Sequence, residues 1–319
     1  MGTLYIDRKD IHIRLDGNAL AFYANGEREG IVPVNPLKRV VITGNVTIET
    51  PVFHKLTSEN ISVVFLSGKR LQFRGMLHGR LHNNGLLRLK QYEKSTSDFC
   101  MDIAQDLVSR KINGQIKLLL DAREQRADLR FQLTNAVNIL SGVIDTVRAK
   151  DNDMDTLRGL EGGASASYFS AYTELFPESL EFKRRNRRPP EDPVNAMLSL
   201  CYTMLHFEMV REIEVIGLDP TIGFYHQFDY GRESLACDLV EPYRVDVDRF
   251  IWELFRQRRF TARDFAEDDE RPGCYLKKQS RKRFYPEYEE WANGTRPLWV
   301  DEVRTLARRI MDGQDIIPE

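Results

Sequence analysis

Residues 81–90 read LHNNGLLRLK, and the pattern of apolar residues in this 319-residue chain changes within them. Before this stretch, short segments rich in β-branched residues are separated by turn signals such as Asn25-Gly26, which is typical of a small β-sandwich. After it, apolar residues recur every three or four positions, which predicts helices. The sequence therefore predicts an α+β multidomain protein, with a small N-terminal β-sandwich over residues 1–84 and a larger all-α catalytic domain over residues 85–319.

The strands of the predicted β-sandwich are separated by turns at short spacing. A short helix over Pro51–Ser58 is expected to interrupt them. Seven strands are predicted, at Thr3–Asp7, His12–Asp16, Ala19–Tyr23, Arg39–Ile42, Asn45–Ile48, Ile61–Leu66 and Leu71–Arg74.

The second domain is expected to be helical throughout. Asp192-Pro193 is a strong start signal, because an aspartate can cap a helix and proline suits its first position. Asp155 and Ser234 are expected to cap two further helices. The acidic stretch at residues 267–270 is expected to be a surface loop.

Composition excludes several classes of protein. Hydrophobic residues make up 42% of the chain and charged residues 29%, which argues against a membrane protein or a disordered chain. No apolar run approaches the ~18 residues of a membrane span. The four cysteines form no CxxC pair, so a reducing, cytoplasmic location is expected and a zinc knuckle is not: Cys100, Cys201, Cys237 and Cys274.

Basic residues are clustered although the formal net charge is only -2. Clusters lie at residues 69–90, Lys183–Arg188, 256–259 and 277–283. Any one of them could be ordinary solvated surface. Several dense clusters on a nearly neutral chain favour contact with a polyanion, because phosphate contacts release counterions where positive charge is dense.

The chain lacks the Walker loop, the GxGxxG turn, the GxSxG elbow and the HExxH motif, which leaves carboxylates and histidine as the candidates for chemistry. Glu161 stands in Leu160-Glu161-Gly162-Gly163. Two glycines inside a helical pattern cost ~1 kcal/mol each relative to alanine, which suggests close approach by a ligand or another backbone. The alternative is that the helix ends at Glu161 and the glycines form a turn.

His226 lies in a short aromatic segment, Gly223-Phe224-Tyr225-His226. Asp238 and Glu241 follow at a spacing that places both carboxylates on one face of a helix. The histidine could equally be a packing residue, and the two acids a solvated edge. Together, two or three carboxylates and one imidazole suit Mn²⁺ or Mg²⁺ better than structural zinc.

Four motifs in order along the helical half resemble the CRISPR adaptation integrase family, the metal-dependent nuclease of spacer acquisition. That family carries a β-sandwich ahead of an all-helical catalytic domain, which agrees with the predicted architecture. The motifs are Leu160-Glu161-Gly162, Asp192–Leu198 with Tyr202, Gly217–Pro220 with Gly223–His226, and Gly231–Glu241.

The resemblance implies a divalent metal, Mg²⁺ or Mn²⁺, held by Glu161, His226 and Glu241, with Asp238 beside them as a fourth catalytic residue. In this chain Pro242 follows Glu241 and should disturb the helix there. Asp238 is therefore a possible substitute ligand.

The resemblance also implies an enzyme that binds double-stranded DNA and inserts short duplex fragments into a CRISPR array by transesterification. It implies a homodimer joined through the N-terminal β-domain, and assembly with the small second adaptation protein. Asn195 and Tyr202 match polar positions of the family, although Tyr202 could simply pack on an apolar stripe. The residues expected to contact DNA are Lys183, Arg184, Arg185, Arg187, Arg188, Asn195, Tyr202 and Arg232.

Two other functions are compatible with the same residues. A metal-dependent phosphohydrolase acting on small phosphoesters would use the same ligands but would have little use for several basic clusters. A nucleic-acid scaffold without activity would make Glu161, His226, Asp238 and Glu241 surface or packing residues.

Overall fold

A computed structural model describes residues 2–68, 71, 73–79, 84–148, 152–186, 189–226, 228–268 and 271–312. The chain divides into two compact units. The first contains Met1–Asn83 and Lys278–Pro297, and the second contains Asn84–Lys277 and Leu298–Glu319.

The first unit thus includes a late segment of the chain that the sequence pattern assigned to the helical domain. Its side chains explain why. Tyr285 stacks on Tyr5 with ring centroids 4.0 Å apart. The hydroxyls of Thr3 and Tyr5 donate hydrogen bonds to Glu289 at 2.9 and 2.8 Å. These contacts join residues almost 300 positions apart, which periodicity cannot reveal.

Two four-stranded sheets and one helix form the N-terminal part. One sheet has the order β1-β5-β7-β8 and the other β4-β3-β2-β6. Apolar side chains from both sheets, together with Val52 and Leu56 of the helix, form one core. The elements are β1 (Thr3–Ile6), β2 (Ile11–Asp16), β3 (Ala19–Ala24), β4 (Glu27–Pro33), β5 (Arg39–Ile42), β6 (Val46–Ile48), α1 (Thr50–Ser58), β7 (Ser62–Leu66) and β8 (Phe73–Leu77).

The seven predicted strands and the short helix are present with small shifts in their bounds, but the sequence did not predict β4. This strand pairs with β3 in a hairpin and lies at the edge of its sheet. Six of its seven residues are exposed, so it lacks the alternation of apolar and polar residues that marks a half-buried strand.

The second unit is built mainly from helices, and the α+β architecture predicted from the sequence is confirmed. The helices are α2 (Gly85–Lys94), α3 (Phe99–Gln125), α4 (Arg130–Val147), α5 (Met154–Thr173), α6 (Pro193–Ile216), α7 (Ser234–Val240), α8 (Arg244–Arg256) and α9 (Lys278–Ile310), the last of which runs through both units.

One part of the expected helical domain is a pair of strands. Strands β9 (Phe265–Asp268) and β10 (Arg271–Leu276) form an antiparallel pair in the region expected to be a loop. Phe265, Cys274 and Leu276 are buried, so the pair has an apolar side. Asp269 and Glu270, the second half of the predicted acidic loop, lie outside the described residues.

Helix α6 begins as its sequence predicts. The Asp192 side chain accepts a hydrogen bond from the Asn195 backbone N–H at 2.8 Å, and Pro193 is the first helical residue. The other two predicted caps are wrong. Asp153 caps α5 in place of Asp155, and its backbone angles are extended as a cap requires. At α7 the cap position is occupied by Glu233, and Ser234 is the first helical residue.

Helix α5 continues through Gly162 and Gly163, so the turn proposed after Glu161 does not form. Within the described part of the chain, no helix combines the length and apolar character that crossing a membrane requires.

Candidate functional site

Glu161 and Glu241 are eighty residues apart in the sequence, and both contact the ammonium group of Lys111. Glu161 lies in the middle of α5, and Lys111 lies on α3. Lys111 Nζ donates to Glu161 Oε1, and it donates to Glu241 Oε2 at 2.6 Å. Two carboxylates from distant segments therefore meet at one positively charged atom.

Pro242 explains how Glu241 reaches this position. Helix α7 ends at Val240, and Glu241 opens a single 3₁₀ turn, Glu241–Tyr243, with Pro242 inside it. Helix α8 then begins at Arg244, whose Nε donates to Glu241 Oε1 at 2.8 Å. Glu241 is thus hydrogen-bonded through one oxygen to Lys111 and through the other to Arg244.

These contacts keep the cluster charged although it is buried. Burial raises the pKa of Glu241, but Arg244 and Lys111 lower it by more, to about 2. Burial likewise lowers the pKa of Lys111, but Glu241 and Glu161 together raise it above its ordinary value. At neutral pH Glu241 is therefore a carboxylate held between two cations.

His226 and Asp238 form a second group, in which the carboxylate organises a loop. The Asp238 side chain is fully buried and accepts hydrogen bonds from the backbone N–H groups of Phe224, Tyr225 and His226 at 2.6, 3.0 and 2.8 Å. Gly223 permits this approach, because a Cβ there would lie 2.8 Å from Asp238 Oδ2. Asp238 therefore fixes the loop that carries His226.

Asp238 also sets the orientation of the imidazole. His226 Nδ1 lies 2.7 Å from Asp238 Oδ1. An ionised carboxylate can only accept, so Nδ1 carries the proton and Nε2 has its lone pair available. Many metal-binding histidines donate to a carboxylate in this way. The position of Asp238 suits a positioning residue better than a substitute ligand.

The structure brings the four predicted site residues together as two pairs. Glu161 and Glu241 share Lys111, while His226 is paired with Asp238. His226 is one of the groups that lower the pKa of Glu241, so the two pairs are close enough to interact electrostatically. Among the residues that the structure describes, no three histidine, cysteine or acidic side chains gather closely enough to form a metal site. The three-ligand site stays a prediction.

A different buried acid, Asp248 on α8, is surrounded by hydroxyl groups. Tyr168 donates to Asp248 Oδ2 at 2.8 Å, Tyr202 donates to Oδ1, and Tyr172 donates to the Asp248 carbonyl oxygen at 2.7 Å. Burial raises the pKa of Asp248 to about 6, against the lowering effect of Tyr202 and Tyr168. Tyr202 also lies between Arg244 and Arg185, 4.7 and 5.5 Å from its ring centroid. It is a packing and hydrogen-bonding residue in this structure.

Asn195 holds the start of the arginine-rich loop, which is the segment Lys183–Arg188 of the sequence. Its side chain is not exposed to solvent. It is fully buried. Its Oδ1 accepts from Arg185 Nη1 at 2.7 Å and from the Asn186 backbone N–H at 2.9 Å, and its Nδ2 donates to the Arg184 carbonyl at 2.8 Å. The amide of Asn195 is thus used by the loop, and its contact with DNA stays a prediction.

The remaining residues expected to bind DNA differ in exposure. Lys183 is exposed, and the Arg184 side chain is 78% exposed. Arg185 is half-buried against Tyr202. Arg232 hydrogen-bonds the Cys237 thiol just before α7. Arg187 and Arg188 lie outside the described residues.

A cavity of about 640 Å³ lies beside Glu161, Lys111 and Arg244 and beside the basic residues Lys183, Arg184 and Arg185. The buried Oε1 of Gln115 has no hydrogen-bond partner within the described part of the chain, and Gln115 is one of the residues that line this cavity. Charged residues dominate the wall, among them Lys111, Glu161, Lys183, Arg184, Arg185, Arg244 and Asp248.

The sequence analysis missed Lys111 and Arg244. A signal for Lys111 exists: Leu107, Lys111, Gln115 and Leu118 recur every three or four positions, and all but Lys111 are fully buried. A lysine on the buried stripe of a helix needs an acidic partner. Arg244 had no comparable signal, because its role depends on the turn that Pro242 imposes.

Comparison with known proteins assigns the family. The family model described as "CRISPR associated protein Cas1" matches residues 4–290. A "CRISPR-associated endonuclease Cas1 1" from Thermodesulfovibrio yellowstonii is 56% identical over 317 residues, which cover 99% of each chain.

Solved structures share the fold. A CAS1 protein from Thermotoga maritima superposes with a TM-score of 0.82 at 24% identity and covers 100% of both chains. A casposase bound to an integration product gives a TM-score of 0.83 at 20% identity, covering 99% of this chain and 92% of the other. A Cas6-RT-Cas1–Cas2 complex gives 0.80 at 24% identity, covering 98% of this chain and 35% of the other. With the family match over most of its length, the chain belongs to the Cas1 family of CRISPR-associated endonucleases.

Proposed function

We propose that this Cas1 endonuclease joins short duplex DNA fragments to a CRISPR array by transesterification, with a divalent metal bound by Glu161, His226 and Glu241. One observation carries the proposal. Glu161 and Glu241 come from distant segments and meet at a single cation, Lys111 Nζ. A place where two carboxylates stabilise one positive charge suits a hard divalent ion, whose preferred ligands are carboxylate oxygens.

The histidine supports the same proposal. Its Nδ1 is held by Asp238, which leaves Nε2 as the atom that could coordinate. The donor set, two carboxylates and one imidazole, suits Mn²⁺ or Mg²⁺ and lacks the thiolates that favour structural zinc. This donor set suits both ions.

When bound, the metal would stabilise the negative charge that develops on the phosphate oxygens and the leaving oxygen. A DNA 3′-hydroxyl attacks a phosphodiester, a new phosphorus–oxygen bond forms, and the displaced strand leaves with its own 3′-hydroxyl. One bond replaces another, so the reaction requires no nucleotide cofactor. The chain's own groups hold the metal and orient the DNA.

The position of the arginine-rich loop supports a role in holding the phosphate backbone. Lys183 and Arg184 line the same cavity as Glu161, and the Arg184 side chain is 78% exposed. Asn195 fixes the loop from inside, so these cations project from a rigid support. Contacts of this kind position DNA without reading its bases.

The proposal includes partners. A Cas6-RT-Cas1–Cas2 complex is among the structures with this fold, which supports assembly with a small second adaptation protein. A homodimer through the N-terminal β-domain is supported by β4, an exposed strand at the edge of its sheet that could pair with a second copy. The four cysteines are free, which supports a reducing cytoplasmic location.

The test is a strand-transfer assay with Glu161→Ala and His226→Ala. The protein and its companion are mixed with a short duplex bearing free 3′-hydroxyls and a supercoiled plasmid carrying an array, with Mn²⁺ or with chelator. Each variant should lose at least ~10³-fold of the joining rate, because a ligand of the catalytic ion is removed, and should keep most of its DNA affinity. Asp155→Ala is the matched control, an acid of the same helix whose side chain is 90% exposed.

Equal joining in chelator, or by Glu161→Ala, would contradict the metal mechanism. Hydrolysis of small phosphoesters without joining would favour the phosphohydrolase. DNA binding with neither activity, in the presence of a folded companion, would favour the scaffold.

A further inference from the structure

We infer that Lys111 is an internal cation that competes with the divalent metal for Glu161 and Glu241, so that metal binding requires the lysine to leave. The inference rests on the proposed function, which places the metal between these two carboxylates. It adds one residue, Lys111, that sets the affinity of the site for the ion and the conformational change that accompanies binding.

The first argument is the occupancy of Glu241. Its Oε2 accepts from Lys111 Nζ at 2.6 Å and its Oε1 accepts from Arg244 Nε at 2.8 Å. Both oxygens of the carboxylate are thus bonded to cations. Each oxygen has a lone pair left, so a metal that coordinates Glu241 must bring its charge to an oxygen that a cation already holds.

The second argument is charge. Glu161 and Glu241 balance Lys111 and Arg244, so the cluster is already neutral. A divalent ion added within a few ångströms of both cations would be repelled by them in a buried site. Loss of one cation from the cluster leaves a negative charge and removes this repulsion.

Lys111 is the cation that can leave. It lies where the two carboxylates converge. Of these two carboxylates Arg244 pairs with Glu241, and its guanidinium is held over the Tyr202 ring, 4.7 Å from the centroid. Lysine has a flexible unbranched stem, and its ammonium is readily hydrated. Lys111 also lines the cavity of about 640 Å³, which offers space and water for the displaced group.

The direct test is calorimetric titration of Mn²⁺ into metal-free protein without DNA. Lys111→Met should bind Mn²⁺ at least ~10-fold more tightly than wild type. In metal-free buffer it should also melt at a lower temperature, because the buried Glu241 and the half-buried Glu161 lose the counter-ion that they share, and Mn²⁺ should restore its melting temperature. Lys117→Met is the control, since Lys117 is exposed on the same helix and should leave the affinity unchanged. Equal or weaker Mn²⁺ binding by Lys111→Met would overturn the inference.

A measurement on the wild-type protein covers the case in which Lys111→Met does not fold. The protein is treated with an amine-acetylating ester with and without Mn²⁺, and modification at each lysine is read by mass spectrometry. The Lys111 side chain is only 12% exposed when it bridges the acids, so Mn²⁺ should increase its modification several-fold relative to Lys117. Unchanged modification of Lys111 under saturating Mn²⁺ would refute displacement.

Glu161→Gln separates this inference from the proposed function. If the metal lies between the two carboxylates, Glu161→Gln must weaken Mn²⁺ binding in both the wild-type and the Lys111→Met backgrounds. Full binding in Glu161→Gln would refute the proposed metal position itself. Loss of binding in Glu161→Gln, combined with no gain in Lys111→Met, would refute only the role of Lys111.

Discussion

The helical unit contains two buried acidic clusters whose residues are related by the same spacing. The first, the carboxylate–lysine cluster, comprises Lys111, Glu161, Glu241 and Arg244. The second, the tyrosine–aspartate cluster, comprises Tyr168, Tyr172, Tyr202 and Asp248. Seven residues along α5 separate Glu161 from Tyr168, and seven residues separate Glu241 from Asp248. The clusters are therefore successive layers of one helix packing arrangement, about two helical turns apart.

The partners of each acid decide its charge. Cations hold the pKa of Glu241 at about 2, whereas hydroxyl groups leave the pKa of Asp248 at about 6. An acid among cations remains an anion that can bind a metal. An acid among tyrosines, with a pKa of about 6, takes up a proton at mildly acidic pH and serves as a hydrogen-bond acceptor in the core. This difference is why we place chemistry at the first cluster and support at the second.

Glu241→Gln should break the first cluster and produce the largest change in stability. The folded-state pKa of Glu241 lies below its ordinary value of 4.5, so the carboxylate stabilises the fold above that pH. The variant should lose roughly 3 to 4 kcal/mol at pH 7, from about 1.4 kcal/mol per unit of pKa. Urea unfolding in metal-free buffer measures it. The loss should shrink as the pH falls from 4.5 towards 2, and an equal loss at pH 3 would indicate a packing defect instead.

Asp248→Asn should show the opposite pH dependence. Its pKa is raised from 3.8 to about 6, so the folded protein holds a proton that the unfolded chain releases. Wild type therefore loses stability as the pH rises from 4 to 7, by about 2.5 kcal/mol, and the neutral variant avoids this loss.

The difference in unfolding free energy between Asp248→Asn and wild type, measured at pH 4, 5, 6 and 7, should shift by that amount in favour of the variant. A difference that does not vary with pH would mean that Asp248 is ionised throughout, and the two clusters would then not differ in charge.

The sequence predicts much of the fold because local signals and packing agree there. The turns and β-branched runs of the first 80 residues locate seven of the eight strands, and Asp192-Pro193 locates the start of α6. Strand β4 was missed because an exposed edge strand carries little hydrophobic pattern.

The site was only partly predictable. The motifs contain Glu161, His226, Asp238 and Glu241, but pairing is a property of the folded chain. The sequence did not indicate that Asp238 would be used by three backbone N–H groups, or that Asn195 would be buried inside a loop. Nor did it indicate that Lys111, fifty residues before Glu161, would join the two acids.

Two adjacent arginines can sharpen the comparison between supporting and functional groups, because only Arg185 packs against other side chains. Arg185 donates to Asn195 at 2.7 Å and stacks over Tyr202, so Arg185→Ala should cost about 1 to 2 kcal/mol of stability. Arg184 is largely exposed, so Arg184→Ala should change stability by less than about 0.5 kcal/mol.

Arg184→Ala should weaken DNA binding although it leaves stability almost unchanged. The slope of log K against log salt should fall by about one unit for all duplex sequences alike, since one phosphate contact is lost. Fluorescence anisotropy over a series of salt concentrations measures this. An unchanged slope would make Arg184 ordinary solvated surface.

Two positions on α5 offer a last comparison. Tyr168 is fully buried in the tyrosine–aspartate cluster, whereas Gly162, next to Glu161, is exposed, and nothing beyond the helix's own neighbouring residues lies within 4 Å of the position that a Cβ would occupy. Gly162→Ala should therefore stabilise the helix by about 1 kcal/mol. Gly142 on α4 is also exposed and open, so Gly142→Ala is a matched control with the same expected gain.

The two variants should differ in the strand-transfer assay. A glycine that lowers helix stability beside a catalytic carboxylate is explained if the DNA backbone passes closely over it, because an added methyl group would then hold the phosphate away. We expect Gly162→Ala to join DNA several-fold more slowly than wild type, while Gly142→Ala keeps the wild-type rate. If both variants gain stability and both join DNA at the wild-type rate, α5 has no close contact with its substrate at Gly162. The contrast between the open surface beside Glu161 and the packed position of Tyr168 would then be limited to charge.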